Sequence, residues 1–163
     1  MFGDLAVFLA TGCGIANFLP ASVGALLGCP LALLSLRLSF ARQLAFILIC
    51  LVAATILCDL AAAELGAKDP PTVVADEYLT FPVAVFGLAR ARHPALLAGA
   101  FLTSRILDGV KPPPARQAEA LAGGLGIVVD DVISNLYALA LHALLGFFIR
   151  RPFRRWGTPP SED

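Results

Sequence analysis

The sequence predicts an all-α fold, a polytopic membrane helical bundle of about five to six helices that includes a short helical hairpin. Two observations of composition and one of pattern carry this. Hydrophobic residues make up 58% of the 163 and charged residues only 15%, where soluble domains carry about 25%. Mean hydropathy is +0.82. Long uncharged runs, such as Ala6 to Leu36, are separated by short charged or proline-rich connections. The length suits one domain, residues 1–150, followed by a basic and then disordered tail over 151–163. Formal net charge is +0, so no bulk charge draws the chain to nucleic acid.

The N-terminus, MFGDLAVFLA, has no basic n-region, which argues against a cleaved secretory signal. Asn17, Pro20 and Ser22 interrupt the first apolar run, so the spacing predicts a short entry segment, a polar break and a helix to about Leu36. Arg37 to Arg42 form a basic turn. Gln43 to Cys58 continue as a second helix whose end carries Asp59 and Glu64, and Gly66 stops it. Pro70 and Pro71 make a loop of Lys68 to Thr72. Tyr78 to Ala89 read as a helix of about 12 residues, roughly 18 Å, too short to cross a bilayer alone. Arg90 to Pro94 turn the chain, and Ala95 to Leu107 complete the hairpin. Asp108 to Gly126 read as a polar loop, and Val132 to Ile149 as the last apolar helix. Cys13, Cys29, Cys50 and Cys58 all lie in apolar runs without a CxxC pair, and read as small, buried, lipid- or core-facing residues.

Folded antiparallel, these helices sort the charges. Arg37, Arg42, Arg90, Arg92, Arg150, Arg151, Arg154 and Arg155 fall at one end. The acids, with Lys68, Arg105, Lys111 and Arg116 among them, fall at or near the other. Asp76–Glu77 and Asp130–Asp131 each stand at an expected helix start. There the macrodipole favours an acid by about 0.3–1 kcal/mol, so each pair taken alone is explained as a cap. Two such pairs together with Asp69 and Asp108 suggest a cluster of hard oxygen donors suited to Mg²⁺. Arg105, Asp108 and Lys111 follow at intervals of three, one face of a helix that Pro112 ends. Arg105 suits bidentate phosphate binding and Lys111 supplies a point charge; the alternative for both is an interfacial anchor paired to Asp108. Gly123, Gly124 and Gly126 would let backbone approach a ligand, or simply loosen a loop. Carboxylates with phosphate-binding cations point to phosphoryl chemistry at a membrane. A CxxxxxR loop, a DxDx(T/V) motif and a P-loop are absent from the sequence. His142, within an apolar helix, reads as a packed residue.

Three segments, DPPTVVADEYLTF, FLTSRILDGVKPPPAR and GGLGIVVDDV, resemble in this order the motifs of the phosphatidylglycerophosphatase A family. The residues that carry the likeness are Asp69 and Val74 to Glu77; Arg105, Ile106, Asp108, Lys111, Pro112 and Pro114; and Gly123, Gly124, Gly126, Ile127, Asp130 and Asp131. LATGCG and LPASVGAL resemble its amino-terminal elements, so the likeness spans roughly residues 9 to 149. It implies an Mg²⁺-dependent lipid phosphatase that converts phosphatidylglycerophosphate to phosphatidylglycerol and phosphate, multi-pass in the bacterial inner (cytoplasmic) membrane. Its partners would be a phospholipid substrate and the membrane, with homo-oligomerisation left open. Metal ligands would be Asp69, Asp76, Glu77, Asp130 and Asp131. Asp76, Glu77, Asp108 and Asp131 would serve catalysis, and Arg105 and Lys111 would bind the phosphate.

Three positions depart from the pattern. Thr80 replaces a glycine, Ala21 replaces a glycine before Ser22, and Ser134–Asn135 replace a small Ala-Gly pair. Attack by water and attack by a carboxylate nucleophile both stay open. Two rivals remain: a CDP-alcohol phosphatidyltransferase, to which positions 105 and 134 are ill suited, and a non-catalytic membrane scaffold. The arginine-rich end favours a cytoplasmic location by the positive-inside rule, whereas a substrate made at the cytoplasmic leaflet favours an inward-facing acidic end. Orientation is left open by these opposed arguments.

Overall fold

The computed structural model describes residues 2–68, 70–118, 121 and 123–148. Asp69, Glu119 and the tail from Ile149 lie outside the described residues. Among those described, every regular element is helical: α1 (Phe2–Ala10), α2 (Ala21–Ala25), α3 (Gly28–Ser35), α4 (Phe40–Leu65), α5 (Ala75–Thr80), α6 (Pro94–Val110), α7 (Ala115–Ala118) and α8 (Gly123–Phe148), with 3₁₀ turns at Ile15–Asn17, Phe81–Val85 and Ala89–Arg92.

The long helix α4 is built inside out compared with a helix of a soluble protein. Its buried side carries Ile47, Cys50, Ala54, Cys58 and Ala61, while Leu48, Ile49, Val52, Ile56 and Leu60 face outward. Small residues inside let neighbouring backbones approach, and large apolar residues outside suit hydrocarbon. Gly66 ends the helix in a left-handed conformation at φ 66°, as its C-terminal glycine predicts. Two helices, α4 and α8 from Gly123 to Gly146, are long and apolar enough to cross a membrane. α6, with 17 residues, rises about 25 Å.

α8 packs against α4, α6, α7 and the Phe81–Val85 turn, and α5 is wedged between α4 and α8. The hydroxyl of Tyr78 donates to Leu9 O at 3.0 Å, and Val74 N–H donates to Ala10 O at 2.8 Å. These two bonds tie the start of α5 to the end of α1. At the arginine-rich end, Arg90 donates to His142 O, within α8, and Arg92 donates to Leu36 O at the C-cap of α3, satisfying a carbonyl at the end of that helix.

Two expectations are corrected. Tyr78 to Ala89 do not form one helix: α5 begins at Ala75 and stops at Thr80, and Pro82 lies in the 3₁₀ turn that follows. Gly87 then adopts φ 70°, so after α5 the hairpin's first arm is a buried 3₁₀ turn at Phe81–Val85 followed by a partly exposed loop rather than one helix. The polar loop before the last helix is also shorter than expected, because α8 starts at Gly123 rather than near Val132. Its glycines serve helix packing. A Cβ on Gly124 would collide with Thr55 O and lie 2.8 Å from Asp59 N, so only glycine lets α8 come this close to α4. Asp59 completes the junction, its Oδ1 accepting the Gly124 N–H at 3.0 Å. It thereby satisfies one of the orphan donors at the start of α8.

Candidate active site

Three helices deliver the charged residues. α5 supplies Asp76 and Glu77 from its first turn, where acids are favoured. α6 supplies Arg105 and Asp108. α8 supplies Asp130 and Asp131, which stand two turns inside the helix and not at its N-terminus. The macrodipole therefore accounts for the first pair and not for the second. Both members of the second pair are buried, at 5% and 2% exposure, and a buried carboxylate requires a partner.

The partners are the two cations picked out from the sequence. Arg105 lies centrally: Nη1 is 2.7 Å from Glu77 Oε2 and 3.6 Å from Asp108 Oδ2, and Nη2 donates to Asp131 Oδ1 at 3.3 Å. One guanidinium thus links α5, α6 and α8. Asp76, itself buried, adds negative potential at both Arg105 and Asp131. Lys111 Nζ meets Asp130 Oδ2 at 2.8 Å. Adjacent residues on a helix point about 100° apart, which explains how Asp130 and Asp131 serve different cations. Asp130 Oδ1 also accepts the Asp131 N–H at 3.0 Å.

Lys111 occupies the C-cap of α6 in a left-handed conformation, φ 48°, a place usually taken by glycine or asparagine. Its ion pair with Asp130 helps to offset that strain. The following loop is pinned by Tyr137, whose hydroxyl donates to Pro113 O at 2.7 Å.

The donor chemistry fits a hard divalent cation. Asp76, Glu77, Asp108 and Asp131 surround the single guanidinium, leaving carboxylate in excess, and all their donors are oxygen. Among the described residues, no three ligating side chains converge as a ready-made metal site; Arg105 stands between them. Asp69 lies outside the described residues. Arg105 Nε is buried and has no hydrogen-bond partner among the described residues, which leaves the guanidinium a donor to direct at an anion.

Three neighbouring residues were not assigned to the site from sequence. Ser104, Asn135 and Thr80 are fully buried and hydrogen-bonded to one another beside the charged cluster. Thr80 and Asn135 stood out only as departures from a pattern. Their spacing, three residues after Glu77 and four after Asp131, was the available signal. The histidines stay apart from the cluster. His142 Nε2 lies 3.2 Å from Thr103 Oγ1 on the α6–α8 contact, and His93 caps α6, its Nδ1 accepting the Ala95 N–H at 3.3 Å. All four cysteines are free thiols: Cys50 and Cys58 are buried as expected, whereas Cys29 is half-buried and Cys13, in the turn after α1, is exposed rather than buried.

No solved structure matches the chain. A Haemophilus influenzae protein named phosphatidylglycerophosphatase A is 31% identical over 130 residues, covering 78% of this chain and 79% of its own. An Escherichia coli protein of the same name is 26% identical over 136 residues, covering 83% and 78%. A Bacteroides thetaiotaomicron protein, provisionally named a phosphatidylinositol-3-phosphatase, is 29% identical over 155 residues, covering 89% and 96%. The family model for phosphatidylglycerophosphatase A matches residues 6–146, a span that holds every charged residue of the cluster described above, and the chain belongs to that family.

Proposed function

We propose that this chain is a membrane phosphatase that removes the terminal phosphate of phosphatidylglycerophosphate, leaving phosphatidylglycerol. The observation that carries the reading is Arg105, a guanidinium only 12% exposed, held by carboxylates from three helices, with a buried Nε still to give. Such a group is preorganised for a phosphate oxygen, and the surrounding apolar environment strengthens the attraction. Lys111 adds a second positive charge from the end of α6.

In this reading residues 1–150 form one membrane-embedded domain, a multi-pass bundle in the bacterial inner membrane. The outward-facing leucines and isoleucines of α4 support it. Mg²⁺ held among Asp76, Glu77, Asp130 and Asp131, with Asp69, would neutralise charge that develops on the phosphate. Arg105 binds two phosphate oxygens, and Asp108 and Glu77 fix the plane of its guanidinium. One of Asp76, Glu77 or Asp131 accepts a proton from an attacking water, or itself attacks phosphorus. A single turnover in ¹⁸O-labelled water, with the label followed into phosphate or into the protein, separates these two.

The Bacteroides relative gives a second headgroup to test, because its name specifies a phosphoinositide. Both lipids present a phosphomonoester on a glycerophospholipid headgroup, so the shared chemistry is the same. The deciding experiment measures phosphate release by the purified protein from phosphatidylglycerophosphate, phosphatidylinositol 3-phosphate and phosphatidic acid in mixed micelles. Preference for the first supports the proposal, and preference for the second reassigns the headgroup. Release from none overturns the phosphatase reading. A CDP-activated lipid with an acceptor alcohol, run in parallel, tests transferase activity.

A further inference from the structure

We infer that Asn135 is a positioning residue for Arg105, acting through a buried hydrogen-bond chain, Ser104–Asn135–Thr80, that fixes α5, α6 and α8 relative to one another. This role rests on the phosphatase reading for its kinetic consequence.

The chain has a direction. Ser104 Oγ donates to Asn135 Oδ1 at 2.6 Å, Asn135 Nδ2 donates to Thr80 Oγ1 at 2.9 Å, and Thr80 Oγ1 donates to Glu77 O at 3.4 Å. The first bond joins α6 to α8, and the second joins α8 to α5. All three side chains are fully shielded from solvent. The carboxamide is the only one of them that can accept at one end and donate at the other, so it alone can bridge two hydroxyls in this order.

Each member adjoins a residue of the charged cluster. Ser104 precedes Arg105 on α6. Asn135 lies one turn beyond Asp131 on α8, and Thr80 one turn beyond Asp76 and Glu77 on α5. The ion pairs of Arg105 therefore span the same three helices as the neutral chain, one layer away. Ion pairs tolerate sliding, since Coulomb attraction falls slowly with distance. A neutral hydrogen bond weakens steeply outside its short range and narrow angle. The neutral layer can therefore set the geometry that the charged layer uses. A displacement of about 1 Å in a reacting group costs about 100-fold in rate, so positioning of this kind has a measurable effect.

The test compares two variants of the full-length protein in detergent. Asn135→Leu keeps the branched outline of the side chain and removes both bonds, leaving the Ser104 hydroxyl without its partner and the Thr80 hydroxyl with only its bond to Glu77 O, so it loses both stability and rate. The triple variant Thr80→Val, Ser104→Ala, Asn135→Leu removes the hydroxyls as well. Replacing all partners by apolar groups restores stability, so Tm is expected within about 4 °C of the parent. In the triple variant kcat should stay about 10- to 100-fold low, with KM changed less than about threefold. Thr80→Ser keeps the hydroxyl and should restore most of the rate that Thr80→Val loses.

A second readout does not depend on turnover. The ¹⁵N resonances of the Arg105 guanidinium, assigned by their loss in Arg105→Lys, should shift or broaden in the triple variant. A triple variant with parent-like kcat and unmoved Arg105 resonances would overturn the proposal and leave the chain as packing alone. If the triple variant does not insert, Ser104→Ala alone, which removes only the α6–α8 bond, carries the same two readouts. Should the parent release no phosphate from any lipid, the phosphatase reading fails, and the resonances of Arg105 still decide the positioning role.

Discussion

Glu77 of α5 and Arg105 of α6 meet at 2.7 Å, and the same guanidinium reaches Asp131 on α8 at 3.3 Å. A planar cation shared among carboxylates on different helices uses its shape as well as its charge. Lysine keeps the charge and loses the fork. Arg105→Lys is therefore expected to be nearly as damaging as Arg105→Ala. Each should lower kcat by roughly 100- to 1,000-fold with a smaller change in KM. Parent-like rates for Arg105→Lys in fully inserted protein would reduce Arg105 to an interfacial anchor.

Lys111 combines a strained backbone with a required charge, and two substitutions separate them. Lys111→Gly relaxes the left-handed C-cap by about 1 kcal/mol while deleting the charge opposite Asp130. It should lose most activity without a matching fall in Tm. Lys111→Arg keeps the charge and should retain more activity than Lys111→Gly. Equal activity in the two would show that the charge opposite Asp130 is dispensable.

Chelation tests the oxygen-rich cluster as a whole. Treatment with EDTA should abolish phosphate release, and Mg²⁺ should restore it. The thermal midpoint should rise with added Mg²⁺ in the parent, since a ligand that binds only the folded state stabilises it, and should rise less in Asp131→Asn. Full activity in excess chelator would remove the metal from the mechanism.

Gly124 predicts a purely architectural defect. Gly124→Val forces α8 away from Thr55 and Asp59 and should cost about 1–3 kcal/mol through overpacking, with a lowered Tm. Gly109, around which an added Cβ meets open space, provides the control: Gly109→Ala should leave stability unchanged or slightly raised. A Gly124→Val protein as stable as the parent would mean that α8 does not depend on close approach to α4.

Much of the site was legible from sequence because its residues lie in short, distinctive clusters. Asp76–Glu77, Arg105–Asp108–Lys111 and Asp130–Asp131 come from three segments, and ion pairs join Glu77, Arg105, Asp108 and Asp131, and Lys111 with Asp130, with Asp76 close enough to act on Arg105 and Asp131. Pairing was harder to read. Nothing local shows that Asp130 meets Lys111 while Asp131 meets Arg105, since that follows from the rotation of α8 against α6. The glycines were the main source of error. In water, glycines beside a proline-rich segment signal a loop. Here they lie within a helix, where close approach to α4 outweighs their poor helix propensity. The early end of α5 had a visible cause in Pro82, but the apolar run around it concealed the break. The contact of Thr80 with Asn135 joins two positions that the sequence shows only as separate oddities.

The start of α8 at Gly123 has a consequence for how a lipid is handled. Asp131 follows Gly123 by two full helical turns, a drop of about 12 Å along the axis, and Arg105 lies about 7 Å back from the end of α6 at Val110. The reacting groups thus sit one to two turns inside the helix ends, with the Asp131 side chain only 3% exposed. In the phosphatase reading, a lipid arriving sideways from the bilayer keeps its tails in hydrocarbon while its phosphate reaches inward between α6 and α8. A soluble phosphate ester has no tails to hold it at the bundle, so depth is itself a means of selecting lipids.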